Sequence, residues 1–148
     1  MGQQQLLLVI LVTIIVGIAT VVAINTFSSS ADSANLDAVR NDIASIGAAA
    51  QGYFIKPTML GGGGNSFAAV TFNNIAFAAD TVDAAGTNAF NTNGRYVISS
   101  PGASSFVVTA HPASRTVGAV SLTSTATLGA TTIAATISQS DVSFTDNL

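Results

Sequence analysis

The stretch from Leu6 to Ile24, LLLVILVTIIVGIATVVAI, carries no charged side chain, and its mildest interruptions are Thr13, Gly17 and Thr20. At ~1.5 Å per residue it covers about 30 Å as a helix, the hydrocarbon thickness of a bilayer. A helix apolar on every face belongs either in lipid or in the middle of a packed bundle. Its Val and Ile content suits both places, because β-branched side chains are tolerated wherever water is excluded. Gln3, Gln4 and Gln5 precede the run and cap it with polarity but no charge. The first charged residue is Asp32, so the cationic start of an ordinary secretory signal is missing, and no Lys or Arg nearby sets an orientation.

Beyond Ile24 the pattern changes. Asn25-Thr26-Phe27-Ser28-Ser29-Ser30 is the weak point of a continuing helix, because Ser and Asn side chains compete for backbone hydrogen bonds; a kink or fray is expected there or near Gly17. Leu36, Val39, Ile43, Ile46, Ala50 and Tyr53 then recur at spacings of three and four, a single apolar stripe, while Asp37, Arg40, Asn41, Asp42 and Gln51 fall elsewhere. This second half needs a cover. Pro57 ends the helix, and Lys56 lies where the helix dipole favours a cation. Gly61 to Gly64 follow as a loop; without the lysine and Ser/Thr of a P-loop after them, their role is structural.

The expected cover is a β-rich region. Arg95–Ser100, Ser105–His111, Thr116–Thr123, Thr131–Ser138 and a short Val142–Thr145 have strand character, with Asn93-Gly94, Pro101-Gly102 and Pro112 between them. An antiparallel meander results, with Val97, Phe106, Val108, Val120 and Ile133 directed at the helix stripe. Phe67–Phe77 reads as a short strand or a packed loop, and Asp80–Asn93 is rich in turns without a defined element. The fold class is therefore α+β: a long N-terminal helix packed against a small antiparallel sheet. The organisation is 1–30 as the membrane-spanning or bundle-core half of the helix and 31–148 as the head, with 31–55 helical, 56–66 a Gly-rich loop and 67–148 β-rich.

Composition narrows the function. Of 148 residues 7% are charged and 49% apolar, against roughly 25% charged in an average soluble domain. Three arginines and Lys56 make no basic patch for nucleic acid. With no cysteine and one histidine, thiol catalysis and the usual zinc sites are absent, and no cofactor is called for. His111, beside Pro112, is read as a surface residue, and the Asp80/Asp83 and Asp141/Asp146 pairs lack EF-hand spacing. No convergent set of titratable groups points to an enzyme.

An apolar half-helix running without a linker into an amphipathic half, then a small β domain, resembles the type IV pilins. MGQQQLLLVILVTIIVGIA is similar to the N-terminal helix of pilins and pseudopilins, and KPTMLGGGGNSF, from Lys56 to Phe67, to a segment of pilin-like subunits. Gln5 stands where the family usually carries a glutamate, if Met1 is the first residue of the processed chain; cleavage after Gly2 would instead start it at Gln3. The resemblance implies a homopolymer whose core and assembly contacts come from Met1, Gln5, Leu6, Leu7, Ile10, Ile14, Gly17, Ile18 and Val21. It also implies an inner-membrane stage before export to the cell surface, a prepilin peptidase and a pilus assembly machinery as partners. A type II secretion pseudopilin and a membrane-anchored adhesive domain that never polymerises are the alternatives.

Overall fold

The computed structural model describes residues 2–115 and 131–148. Its helix, α1, runs from Gly2 to Ile55, and the chain divides into two compact units, Met1–Ala34 and Asn35–Leu148. The weak point expected at residues 25–30 does not interrupt the helical hydrogen bonding. Within it Thr26 Oγ1 donates back to the Val22 carbonyl at 2.9 Å, and just beyond it Ser33 Oγ donates to the Ser29 carbonyl at 3.0 Å, so these two hydroxyls bond along the helix rather than breaking it.

The second unit is built around the apolar stripe of α1. Val39, Ile43, Ile46 and Ala50 are fully buried, and Leu36, Tyr53 and Phe54 nearly so. Each large aliphatic or aromatic residue so buried stabilises the fold by about 1.5–3 kcal/mol before the entropy of ordering it. The cover is an antiparallel sheet of β1 (Thr81–Val82), β2 (Asn88–Asn91), β3 (Gly94–Ser99), β4 (Ser105–Pro112), β5 (Thr132–Ser138) and β6 (Val142–Asn147). These six lie in sequential order among the described residues, so neighbours in sequence are neighbours in the sheet. The α+β class read from the sequence is realised. The expected strand Thr116–Thr123, with Val120, lies outside the described residues.

Strand alternation decides which side chains meet the helix. Tyr96 and Ile98 of β3 are buried, as are Phe106, Val108 and Ala110 of β4 and Ile133, Ala135 and Ile137 of β5. The registers Tyr96↔Ala110, Ile98↔Val108, Val108↔Ala135 and Phe106↔Ile137 place them on one face. Val97, expected to face the helix, has the opposite parity and points away; with a period of two, Tyr96 and Val97 cannot both face inward. Gly47 is the close-contact point at the far edge, where a Cβ would stand 2.8 Å from Val142 Cγ2.

Residues 67–77 form no strand. They are a loop whose Phe67, Val70, Phe72 and Ile75 are buried in the same core. Phe67 lies between Phe54 and Phe106, at ring-centroid distances of 4.7 and 5.2 Å, and Phe77 meets Tyr96 edge-on at 5.2 Å. The turn-rich stretch after it contains two short strands the sequence left unassigned, β1 and β2. Asn91 makes the hairpin turn by taking the Asn93 and Gly94 N–H groups on Oδ1 at 2.9 and 3.1 Å. That side-chain bond replaces the turn expected at Asn93-Gly94: the turn residues are Thr92 and Asn93, and Gly94 already belongs to β3. A glycine is needed at 94 because the backbone of β4 at His111 passes where a Cβ would sit.

The four glycines after the helix have a defined task. The last carbonyls of an α-helix lack helical partners. Here the loop folds back on them: Gly63 N–H donates to the Tyr53 carbonyl and Asn65 N–H to that of Phe54, both at 2.8 Å, and just past the helix Gly64 N–H donates to the Lys56 carbonyl at 3.0 Å. The approach is so close that a Cβ on Gly62 would collide with the Lys56 carbonyl, and one on Gly63 with the Ser66 carbonyl and the Tyr53 ring. Gly63→Ala is therefore expected to destabilise the second unit by about 1–3 kcal/mol, the usual cost of overpacking. A thermal melt of the full chain in detergent, followed by circular dichroism, checks this; an unchanged midpoint contradicts the capping role.

Candidate functional site

Two features of the structure go beyond a packed core: an exposed apolar helical segment in the first unit and a polar anchor in the second.

Every large apolar residue from Leu6 to Ile24 is exposed, between 48% at Ile10 and Val12 and 69% at Leu7, and Phe27 reaches 77%. Leu6, Leu7, Ile10, Ile14, Ile18 and Val21 are all in this set, Gly17 sits bare among them, and Gln5 is exposed at the start. Met1 lies outside the described residues. The exposure runs round the whole helix rather than along a stripe, so no single groove could cover it. The segment also makes no polar demand on its surroundings. Thr13 Oγ1 donates to the Ile10 carbonyl and Thr20 Oγ1 to that of Val16, both at 2.8 Å, which leaves backbone and hydroxyls satisfied within the helix. It is long and apolar enough to cross a membrane.

The anchor centres on Asp42, at the edge of the buried stripe, three residues after Val39 and four before Ile46. Its Oδ2 accepts hydrogen bonds from Tyr96 Oη at 2.6 Å, Asn91 Nδ2 at 2.8 Å and Asn93 Nδ2 at 2.8 Å. Burial, helped by the hydrogen bond to Asp42 and its charge, raises the Tyr96 hydroxyl far above the usual phenol range, so it remains a donor. Around this centre Asn35 Nδ2 donates to the Asn93 carbonyl at 3.0 Å, and Ala113 N–H donates to the same carbonyl at 2.8 Å. At the opposite edge Arg40 pairs with Asp146 at 2.7 Å and Asp37 at 3.1 Å, and Gln51 donates to the Ser138 carbonyl at 3.3 Å. Sequence reading assigned Leu36, Val39, Ile43, Ile46, Ala50 and Tyr53 to helix packing, and the structure brings all six into one core. It missed Asp42, Asn91, Asn93 and Tyr96. The available signal was a carboxylate at helical spacing from two stripe positions, Val39 and Ile46, which sets it at the border of the buried face.

The remaining candidates resolve into structural roles. Burial acts to raise the Asp83 carboxyl, but hydrogen bonds from Asn88 and Thr87 outweigh it and hold the group low; both oxygens are taken by its own loop. His111 was read as a surface residue and is instead half-buried, in register with Arg95 on β3. Burial, then the Arg95 charge, lowers its pKa. No group of three or more His, Asp or Glu suited to a metal ion occurs among the described residues.

No family model matches the chain, and neither a curated protein nor a solved structure matches it. What the structure itself shows is a 54-residue N-terminal helix packed, through its second half, on an antiparallel sheet, an architecture that fits the pilin kind. The apolar first half is compatible with membrane anchoring.

Asp42→Ala strands three donors on one side of the anchor and is expected to cost about 2–3 kcal/mol, whereas Tyr96→Phe, which deletes donor and hydrogen bond together, is expected to cost about 1–2 kcal/mol. Thermal melts of the two variants check the ranking; equal and negligible shifts would remove the anchor's importance.

Proposed function

We propose that this chain is the structural subunit of an extracellular filament of the type IV pilus kind, held in the inner membrane before assembly and polymerised through residues 6–24. The observation that carries the reading is the exposure of that segment on every side. An apolar surface of this extent does not persist in water: at ~25 cal/mol per Å2 its exposure costs tens of kcal/mol. Lipid covers it before assembly, and copies of the same helix cover it afterwards. Because lipid is as apolar as the side chains, close packing at small residues such as Gly17 decides between those two states.

Head-to-tail contact between identical subunits that does not close on itself yields an open helical polymer. The resemblance to the pilins supplies the rest of the proposal: a prepilin peptidase that processes the chain, an assembly machinery that extracts it, and Gln5 as the neutral counterpart of the family's glutamate. Burial of an N-terminal ammonium then relies on hydrogen bonds rather than an opposite charge, a costlier arrangement. The role is mechanical, with no reaction attached.

The chain has no cysteine, so introduced thiols report cleanly. A chain carrying both Ile10→Cys and Val21→Cys, treated with a bismaleimide on intact cells of its source, is expected to give a ladder of covalent multimers well beyond the dimer. A monomer band alone would overturn the polymer and leave a membrane-anchored binding domain.

A further inference from the structure

The chain contains one Asn–Gly sequence, Asn93-Gly94. In a flexible peptide this pair is the most labile of all: the Gly nitrogen attacks the Asn side-chain carbon and forms a succinimide ring. Ammonia leaves, and water then opens the ring to aspartate or isoaspartate. The reaction needs the Gly N–H free and the Asn side chain able to swing over it.

Neither condition holds here. Gly94 is buried, and its N–H donates to Asn91 Oδ1 at 3.1 Å. The Asn93 amide nitrogen, the leaving group, is tied to Asp42 Oδ2 at 2.8 Å, which turns the side chain toward α1. The Asn93 backbone is held at both ends, its N–H on Asn91 Oδ1 at 2.9 Å and its carbonyl by Asn35 Nδ2 and Ala113 N–H. Asn91, the residue that blocks the nucleophile, is itself buried and fixed by the same Asp42 oxygen. One carboxylate on the helix thus restrains both the attacking and the departing nitrogen.

We propose that Asn93 is a latent deamidation site, kept unreactive while the β2–β3 hairpin is docked on Asp42 and opened to reaction when the hairpin separates from the helix. The change is one-way. It replaces a neutral amide that donates to Asp42 by a carboxylate that faces it, and two like charges at hydrogen-bonding distance repel. A subunit that has once opened therefore cannot reseat its hairpin as before, which makes the anchor a chemical record of unfolding. The inference rests on the second unit alone and stands or falls independently of the filament.

The test is peptide mapping by mass spectrometry of the full chain in detergent, incubated in mildly alkaline buffer beside a synthetic peptide of residues 90–97. Asn93 in the folded chain is expected to convert more than about tenfold more slowly than in the peptide, since reaction requires local opening. Asn91→Ala, which frees Gly94 N–H, is expected to move the rate toward that of the peptide. Equal rates in chain and peptide overturn the proposal, as does unchanged protection in an Asn91→Ala chain that retains its fold by circular dichroism. If that variant does not fold, Asn93→Asp carries the second arm: it is expected to melt below the native chain, and an identical melt overturns the one-way step.

Discussion

The Asp42 carboxylate gathers three hydrogen bonds onto one oxygen, from the Tyr96 hydroxyl and the amides of Asn91 and Asn93, and so fixes how the β2–β3 hairpin lies on the helix. Apolar packing alone would leave that relation loose, because a stripe of Val, Ile and Ala accepts a facing sheet in several registers. A buried polar group admits far fewer, since any slip leaves a donor without a partner. With Tyr96 held inward, the parity of β3 is set. Antiparallel pairing then carries that parity to β4 and on to β5, placing Phe106, Val108, Ile133 and Ile137 against the helix. The Arg40–Asp146 pair and the Gly47–Val142 contact fix the opposite edge.

Much of this was legible in the residues. The helix and its end at Pro57 followed from hydropathy and from proline sterics. The stripe at Leu36, Val39, Ile43, Ile46, Ala50 and Tyr53 followed from its period, and four described strands from their alternation and punctuation. What escaped reading depended on contacts between residues distant in sequence. Val97 and Tyr96 are both plausible inward residues of one strand, and only the partner Asp42 decides between them. The strand β2, Asn88-Ala-Phe-Asn91, has little β propensity and exists because β3 pairs with it and Asp42 holds its last residue. Residues 67–77 have the hydrophobicity of a strand, yet their aromatic rings fill the end of the core from a loop. Within the apolar run no position stood out, because its side chains are uniformly apolar and exposed and are sorted by no tertiary contact among the described residues.

The low charge of the protein follows from the same division of labour. No charged side chain stands between Met1 and Ala31, as a helix apolar on every face requires wherever water is excluded. In the second unit five of the ten ionic groups fix geometry: Asp42 in the anchor, Arg40 between Asp37 and Asp146, Asp83 inside its own loop. With so few charges, copies of the chain repel one another little, in agreement with the filament proposal.

That proposal meets its most direct test in electron cryo-microscopy of material sheared from the surface of source cells, combined with the intact mass of the constituent subunit. Thin filaments are expected whose subunit mass matches this chain, starting at Met1 or Gln3, with residues 6–24 packed helix on helix at the centre. Filaments made of another protein, with this chain recovered only as a detergent-soluble monomer from the membrane fraction, would contradict it.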